Sequence, residues 1–132
     1  MKKTYTGTCH CGRVRIEADL DLAKGTARCN CSICTKTRNW MAFIGADAFR
    51  LVAGKGELRD YQFGEMKLHH PFCQHCGVRL FARGLDPKGN EVYAVRVSCL
   101  DDVKPEELVE APVQYFDMRH DNPKPPAETR HL

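Results

Sequence analysis

The distribution of cysteine constrains this chain more than any other feature of its sequence. Seven of its eight cysteines fall in three short clusters, which long stretches without cysteine separate. The densest cluster is Cys29-Asn-Cys-Ser-Ile-Cys34, a C-x-C-x-x-C pattern that can turn three sulfurs onto one point. Zinc prefers such an arrangement, because thiolates at about 2.3 Å fill its tetrahedral shell. We therefore predict that folding gathers these cysteines around metal ions.

Length and charge place the chain among ordinary globular proteins. Its 132 residues predict one domain, which we place at 1–121, followed by a proline-rich tail at 122–132 that we expect to lack a packed place. The formal charge of +3 is small, and Lys and Arg are scattered rather than concentrated in one stripe. This pattern does not favour nucleic acid as a partner.

The sequence also bears on the compartment. No leading apolar stretch resembles a signal peptide, and no run of 18 apolar residues predicts a membrane span. We therefore expect a cytoplasmic protein without a membrane partner. Clustered cysteines in a reducing cytosol indicate metal ligands rather than the disulfide scaffold of a secreted domain.

Short apolar segments and frequent turns predict a mainly β fold. A single short helix is predicted at Pro105–Val109, with a proline and acidic residues in its first turn. The residues Thr35–Arg38 can form either a helical turn or a loop. Strands are predicted at Tyr5–Thr8, Val14–Ala18, Trp40–Ile44, Phe49–Val52, Glu57–Phe63, Val78–Ala82, Glu91–Val97 and Pro112–Phe116.

Counting ligands divides the cysteines into two sets. Two pairs that lie far apart in sequence together make a complete four-thiolate set, which is typical of a closed structural zinc site. These are Cys9, Cys11, Cys73 and Cys76. The remaining cysteines are the central cluster and the solitary Cys99. If Cys99 is a ligand, the second site is also closed; if it is not, three thiolates leave one open position, as in catalytic zinc sites.

The other chemically active side chains give weaker signals. His69 and His70 are adjacent, so only one of them can face inward if they lie on a strand. His10 and His75 lie between cysteines and can face outward or support the ligands. Trp40 and Phe43 are predicted to belong to the core rather than to a substrate-binding wall.

With these motifs the chain resembles the glutathione-dependent formaldehyde-activating enzyme family, also called the S-(hydroxymethyl)glutathione synthase or centromere protein V domain family. The resemblance covers about residues 5–121. Its matching elements are Gly7-Thr-Cys-His-Cys-Gly12 with Val14, Cys29–Cys34 with Lys36, Phe72-Cys-Gln-His-Cys-Gly77, Val95–Asp101 and Pro112-Val-Gln-Tyr-Phe-Asp117.

The resemblance implies a β-tent fold of several small antiparallel sheets built around two zinc ions. It implies that the four-cysteine set holds a structural zinc and that Cys29, Cys31 and Cys34 hold the zinc at which the chemistry is proposed. On this basis we expect Cys99 not to be a ligand, because a fourth protein thiolate would close the catalytic position.

The activity that the resemblance implies is a carbon–sulfur lyase that forms or cleaves S-(hydroxymethyl)glutathione, with the small thiol glutathione as partner. Four basic residues are candidates for binding the carboxylates of glutathione. They are Lys36, Arg38, Arg79 and Arg96. The alternative is a noncatalytic, zinc-stabilised interaction module. The sequence does not indicate an oligomeric state.

Overall fold

Ten short strands and two six-residue helices make up the protein, in a computed structural model that describes residues 1–132. The fold is mainly β, as predicted. The strands are β1 (Lys3–Thr8), β2 (Arg15–Leu20), β3 (Thr26–Cys29), β4 (Trp40–Gly45), β5 (Phe49–Ala53), β6 (Leu58–Tyr61), β7 (His70–Cys73), β8 (Phe81–Leu85), β9 (Glu91–Arg96) and β10 (Val113–Phe116). The helices are α1 (Ser32–Thr37) and α2 (Pro105–Glu110), and no helix is both long and apolar enough to cross a membrane.

The strands form three small sheets. Their orders are β1-β2-β5, β10-β3-β4-β9-β8 and β6-β7. All pairs are antiparallel except β3 with β10, which is parallel, so the expectation of antiparallel sheets holds with this one exception. The parallel register sets Phe116 beside Cys29. The last strand therefore lies against the central cysteine cluster.

The main core lies between the first sheet and the central one. Strand β2 shows strict alternation, so that Ile16, Ala18 and Leu20 are buried while their neighbours are not. Val95 of β9 and the following Val97 meet them and are completely buried. Each such side chain contributes about 1.5–3 kcal/mol by leaving water. This core fixes β9, and through β9 it fixes β4, which carries part of the functional site.

One predicted region is confirmed and another differs from the structure. The two strands predicted within Phe49–Phe63 are present as β5 and β6, but they do not pair with each other: β5 pairs with β2 while β6 pairs with β7. A turn of 3-10 helix at Lys55–Glu57 separates the two strands and sends them to different sheets. The strand predicted at Val78–Ala82 begins only at Phe81, and before it the carbonyl oxygen of Val78 accepts a hydrogen bond from the backbone N–H of Cys73, which closes the turn that carries Cys76.

The tail was expected not to pack against the domain, and this is wrong for its last residue. Most of residues 122–132 are exposed, but Leu132 is only 8 % exposed. Its carbonyl oxygen accepts a hydrogen bond from Arg38 Nη2 at 3.5 Å, and the backbone N–H of Asp117 donates to the carbonyl of Lys124. These backbone contacts, which composition does not reveal, fold the tail back over the domain.

Candidate metal centres and their pocket

The four-cysteine set meets at one point. Cys9 and Cys11 come from the loop after β1, and Cys73 and Cys76 come from the end of β7 and the turn that follows. Their sulfurs all lie within 4.8 Å of one another, with 3.6 Å from Cys9 to Cys11 and 3.7 Å from Cys11 to Cys73. A tetrahedron with metal–sulfur bonds of about 2.3 Å has edges of about 3.8 Å. The spacing therefore fits a four-thiolate metal site.

The backbone around this set favours thiolates. Gly12 and Gly77 follow the two cysteine pairs with φ of +83° and +76°, a conformation that other residues rarely adopt. The turns that they permit aim backbone N–H groups at sulfur, for example from Val14 to Cys9 at 3.3 Å. Backbone N–H groups, first of all that of Cys11, lower the pKa of Cys76 to about 6.

The second cluster is built locally. Cys29 ends β3, Cys31 caps α1, and Cys34 lies inside that helix, so that a tight turn brings three sulfurs within 4.8 Å of one another. The backbone N–H of Cys31 donates to the sulfur of Cys29 at 3.3 Å. The side-chain amide of Asn39, which is buried, donates to the sulfur of Cys34 at 3.7 Å. These donors also favour thiolates.

The three thiols share their protons unequally. Hydrogen bonds from Cys29 and then from Cys34 hold the pKa of Cys31 far below its usual range. Hydrogen bonds with Cys29 and then with Cys31, followed by burial, raise the pKa of Cys34. The cluster thus favours a thiolate at Cys31, and three sulfur donors at one point suit a cation that prefers sulfur.

The loop that carries the second cluster is held by Asn30, which sequence reasoning did not single out. Its side chain is only 8 % exposed and donates to the carboxylate of Asp117 at 2.7 Å. Its side-chain oxygen accepts from the backbone N–H of Arg119 at 3.0 Å. The residue between the first two cysteines of the cluster therefore ties them to the segment after β10.

The second cluster lies against an open pocket of about 600 Å³. Strand β4 turns Met41 and Phe43 toward this pocket and Ala42 toward the core. Phe43 was predicted to be a core residue, and this is wrong, since it is 54 % exposed at the pocket wall. Trp40 does pack against the core, and its indole N–H donates to Thr26 Oγ1 at 2.8 Å. The other apolar wall residues include Ile33, Phe63, Leu68, Leu85, Phe116 and Met118.

A buried histidine also lines this pocket. As expected of two adjacent strand residues, only His70 faces inward: it is 5 % exposed, whereas the side chain of His69 is 30 % exposed. His70 Nδ1 lies 3.2 Å from Arg79 Nη2. Because a guanidinium only donates, Nδ1 must accept, and the ring proton therefore belongs to Nε2. Burial, followed by the charge of Arg79, lowers the pKa of His70 and keeps the ring neutral.

The donors of this pair lack acceptors. His70 Nε2 is buried without a hydrogen-bond partner, and so are Arg79 Nε and Nη1. Buried donors without partners are costly, at about 1–3 kcal/mol each, and they are rare away from functional sites. Both side chains lie near the sulfur of Cys31, whose negative charge opposes the lowering of their pKa values by burial. The pair is therefore a preformed set of donors beside the cysteine cluster.

Comparison with known proteins agrees with this geometry. The sequence model of the family described as "glutathione-dependent formaldehyde-activating enzyme" matches residues 4–117, which is most of the chain.

The chain belongs to this family.

It is also similar to the crystal structure of a Rhodobacter sphaeroides protein, with 35% sequence identity and a TM-score of 0.69. The match covers 83% of this chain and 99% of that one. The three small sheets and the two cysteine clusters that could hold metal are consistent with the β-tent-like arrangement that the resemblance implied.

For a member of the glutathione-dependent formaldehyde-activating family, the basic residues are placed unexpectedly. None of the four candidates named from sequence lines the pocket, while Arg83 of β8 does. Arg79 lies behind His70, Arg96 donates to the carbonyl oxygen of Thr37, and Arg38 ends α1. No sequence motif marks Arg83, because its position depends on how β8 pairs with β9.

The remaining candidates lie away from the pocket. Cys99 belongs to neither cluster, and its thiol donates to the carbonyl oxygen of Arg79 at 3.4 Å. It lies in a 3-10 turn at Val97–Cys99 rather than on the strand before it. His10 is exposed, and His75 pairs with Glu57 at the surface.

Proposed function

We propose that this protein is a zinc-dependent carbon–sulfur lyase that acts on adducts of glutathione with aldehydes, such as S-(hydroxymethyl)glutathione. The observation that carries the proposal is the second cluster, in which three sulfurs converge beside an open pocket and no fourth protein ligand lies in reach. Three thiolates with one free position are typical of catalytic zinc sites, whereas four are typical of structural ones. Family membership supports glutathione and formaldehyde as the reactants.

Two zinc ions per chain follow from the two donor sets. The four-cysteine set would hold a structural zinc that joins the loop after β1 to the end of β7. Cys29, Cys31 and Cys34 would hold the catalytic one. A zinc ion there supplies a Lewis acid that favours the thiolate form of a substrate thiol. No cysteine forms a disulfide, which agrees with the reducing cytoplasmic location that we propose for the protein.

The protein's own groups then position the reactants. In the forward direction the substrate thiol loses its proton to solvent and its sulfur bonds to the carbonyl carbon, while the carbonyl oxygen gains negative charge and takes a proton from solvent. We infer that His70 Nε2–H donates a hydrogen bond to this oxygen, since it is a buried donor at the pocket that has no other partner. A fixed donor of this kind stabilises charge that develops in the transition state. In the reverse direction the same hydrogen bond stabilises the oxygen while the carbon–sulfur bond breaks.

Arg79 is a positioning residue in this proposal. Its guanidinium fixes the Nε2–H tautomer of His70 through Nδ1. Its positive charge also offsets the negative charge of the thiolates, whose presence counters the lowering of its pKa by burial. The apolar walls beside the cluster offer few competing hydrogen-bond partners, which favours both effects.

The test is the rate of exchange between glutathione and its hydroxymethyl adduct, measured at equilibrium by exchange NMR spectroscopy. The two combine without a catalyst, so only a rate above background counts. We expect the zinc-loaded protein to accelerate exchange, Cys31→Ser to abolish the acceleration, and Cys99→Ala to retain it. Circular dichroism and metal analysis on each variant check that the fold persists. Background exchange with fully loaded protein would overturn the proposal and favour the noncatalytic module.

A further inference from the structure

The pocket beside the second cysteine cluster is much larger than formaldehyde needs. Its volume of about 600 Å³ lies within the range of roughly 300–1,000 Å³ that sites for drug-sized ligands occupy. Formaldehyde has two heavy atoms, and one water molecule takes about 30 Å³ of liquid. Formaldehyde therefore leaves most of this volume either for the peptide of glutathione or for a larger group on the aldehyde carbon, and the chemistry of the walls decides between the two.

The chemistry of the walls identifies the kind of group. Apart from the cysteines, the walls are made mainly of Ile, Met, Phe, Leu, Val and Ala side chains. Phe43 is 54 % exposed, Phe63 39 % and Leu68 51 %, so large apolar side chains face the pocket without protein cover. A contiguous exposed apolar surface of this kind is typical of a binding site.

Charge excludes the peptide of glutathione from most of this space. Glutathione carries two carboxylates and one ammonium group, whereas the charged residues at the pocket are Arg83 and Asp86. The carboxylate of Asp86 already accepts hydrogen bonds from the backbone N–H groups of Lys88 and Asn90, at 2.9 and 2.8 Å. Arg83 also lines a second pocket on the other face of β8, together with Glu91 and Tyr93. With no cation reserved for the apolar pocket, the charged peptide is left at its open rim, and the apolar walls are left for another part of the adduct.

We propose that the pocket takes adducts of glutathione with apolar aldehydes, in which an alkyl chain or aromatic ring of about six carbons packs against the apolar walls. The inference rests on the proposed function and names its substrate class. The bond changes are the same: the thiol sulfur joins the carbonyl carbon, and the thiol proton is replaced by one on the carbonyl oxygen. No oxidant or reductant takes part.

Binding of unreactive thioethers tests the apolar wall without turnover. Isothermal titration calorimetry of the zinc-loaded protein would compare S-hexylglutathione with S-methylglutathione. We expect at least a ~10-fold lower Kd for the hexyl compound, since each buried methylene favours binding. Phe43→Ser should remove most of this preference. Val52→Ser, on β5 and 50 % exposed but outside the pocket, is the matched control and should keep it. Equal Kd values for the two thioethers would overturn the proposal.

Exchange rates separate this inference from the proposed function. We expect the acceleration over background to be at least ~10-fold greater for the hexanal adduct of glutathione than for the formaldehyde adduct. Acceleration of the formaldehyde adduct alone would leave the lyase standing and overturn the apolar substrate. Background rates for every adduct would overturn both. A preference for formaldehyde adducts of apolar thiols would assign the walls to the thiol and also overturn the inference.

A second copy of the chain is the other possible occupant of the apolar walls. Analytical ultracentrifugation of the protein and of Phe43→Ser tests it. We expect the same mass for both. A dimer that dissociates in Phe43→Ser but not in Val52→Ser would assign the surface to self-association and overturn the substrate proposal.

Discussion

The two cysteine clusters use the same kind of ligand atom for different purposes. The four-cysteine set joins sequence-distant segments: Cys11 and Cys73 are 62 residues apart, yet their sulfurs lie 3.7 Å from each other. The second cluster gathers its sulfurs within one turn, between β3 and α1, and borders the pocket. The first closes a long loop of the chain, whereas the second leaves a face open. Sequence separation and access, rather than ligand type, distinguish the structural from the functional site in our proposal.

Loop closure explains the energetic side of this difference. Closing a loop of about 60 residues costs more chain entropy than closing one of about five, and the cost grows with the logarithm of loop length. A metal that binds only the folded set offsets this cost, because its binding free energy adds to that of folding. The local cluster needs little closure, so its metal adds less to the overall fold.

Removing one ligand from each cluster tests most directly whether the two clusters differ in their effect on stability. We expect Cys76→Ser to lower the free energy of unfolding by more than about 3 kcal/mol and to lose the zinc of the four-cysteine set, because the loop after β1 is released. Thermal melts followed by circular dichroism, with metal analysis, measure both effects.

Cys31→Ser is the matched variant in the second cluster. It should lose one zinc and shift the melting temperature much less, since its sulfur joins only residues of one local turn. Equal loss of stability in the two variants would contradict the division into a structural and a catalytic cluster.

A smaller effect, on the rate of exchange, is expected when the His70 donor beside the second cluster is removed. His70→Phe keeps the ring that stacks on Phe63, at 5.4 Å between centroids, but removes the Nε2–H donor. We expect the acceleration of exchange to fall by about 100-fold, as for other lost donors to a developing oxyanion, with zinc content unchanged.

His70→Gln tests whether the donor or the packing matters. Its amide retains an N–H group and should restore part of the lost rate, while Phe should not. If both variants lose the same rate together with zinc, His70 supports the cluster structurally and does not act on the adduct.

The sequence predicts both clusters for a plain reason: ligand spacing is local, and it is written directly in the C-x-C, C-x-x-C and C-x-C-x-x-C patterns. The pocket is not local. Phe43 and Met41 share a face of β4, yet alternation does not reveal which face meets the core. The inward direction of one of two adjacent histidines was predictable, but the choice of His70 depends on how β7 pairs with β6.

The pairing of the last strand and the placement of the basic residues are likewise not predictable from local sequence patterns. That β10 runs parallel to β3, and thereby brings Phe116 beside Cys29, depends on where the chain returns after α2. Four basic residues near the motifs were candidates for substrate binding, but pairing of β8 places Arg83 at the pocket instead. Pairwise strand order, which no short pattern encodes, decides these positions.

The neutral state of His70 gives a pH dependence of stability. Burial and then Arg79 lower the pKa of His70, whereas in the unfolded chain it returns to about 6.5. Below pH 6.5 the unfolded chain binds the proton more readily, so the free energy of unfolding falls as the pH is lowered toward the folded-state pKa.

His70→Phe removes this contribution and should show a shallower slope between pH 7 and pH 5. Urea unfolding of the zinc-loaded proteins at several pH values measures it. The four-cysteine set is common to both proteins, so its own response to pH cancels in the difference. Parallel slopes would mean that His70 titrates normally in the folded protein.

The smallest expected effect is a change in stability at Arg38, and it tests how local the second cluster is. Arg38 ends α1 in the left-handed conformation, with φ of 47°, and its backbone N–H donates to the carbonyl oxygen of Cys34. Residues other than glycine are strained there, by roughly 1 kcal/mol. Arg38→Gly relieves this strain but gives up the contact of Nη2 with the carbonyl oxygen of Leu132. That contact is long, at 3.5 Å, so we expect a net stabilisation of about 0.5 kcal/mol in urea unfolding.

Arg38→Ala, which loses the contact and keeps the strain, is the matched control and should be slightly less stable than the parent. If α1 is as independent of the four-cysteine set as its local contacts suggest, the gain from glycine should be the same in Arg38→Gly alone and in combination with Lys55→Ala, a change in the turn that leads into β6, the strand paired with β7. A gain that depends on Lys55 would show that the two regions are coupled, and the contrast between them would lose its force.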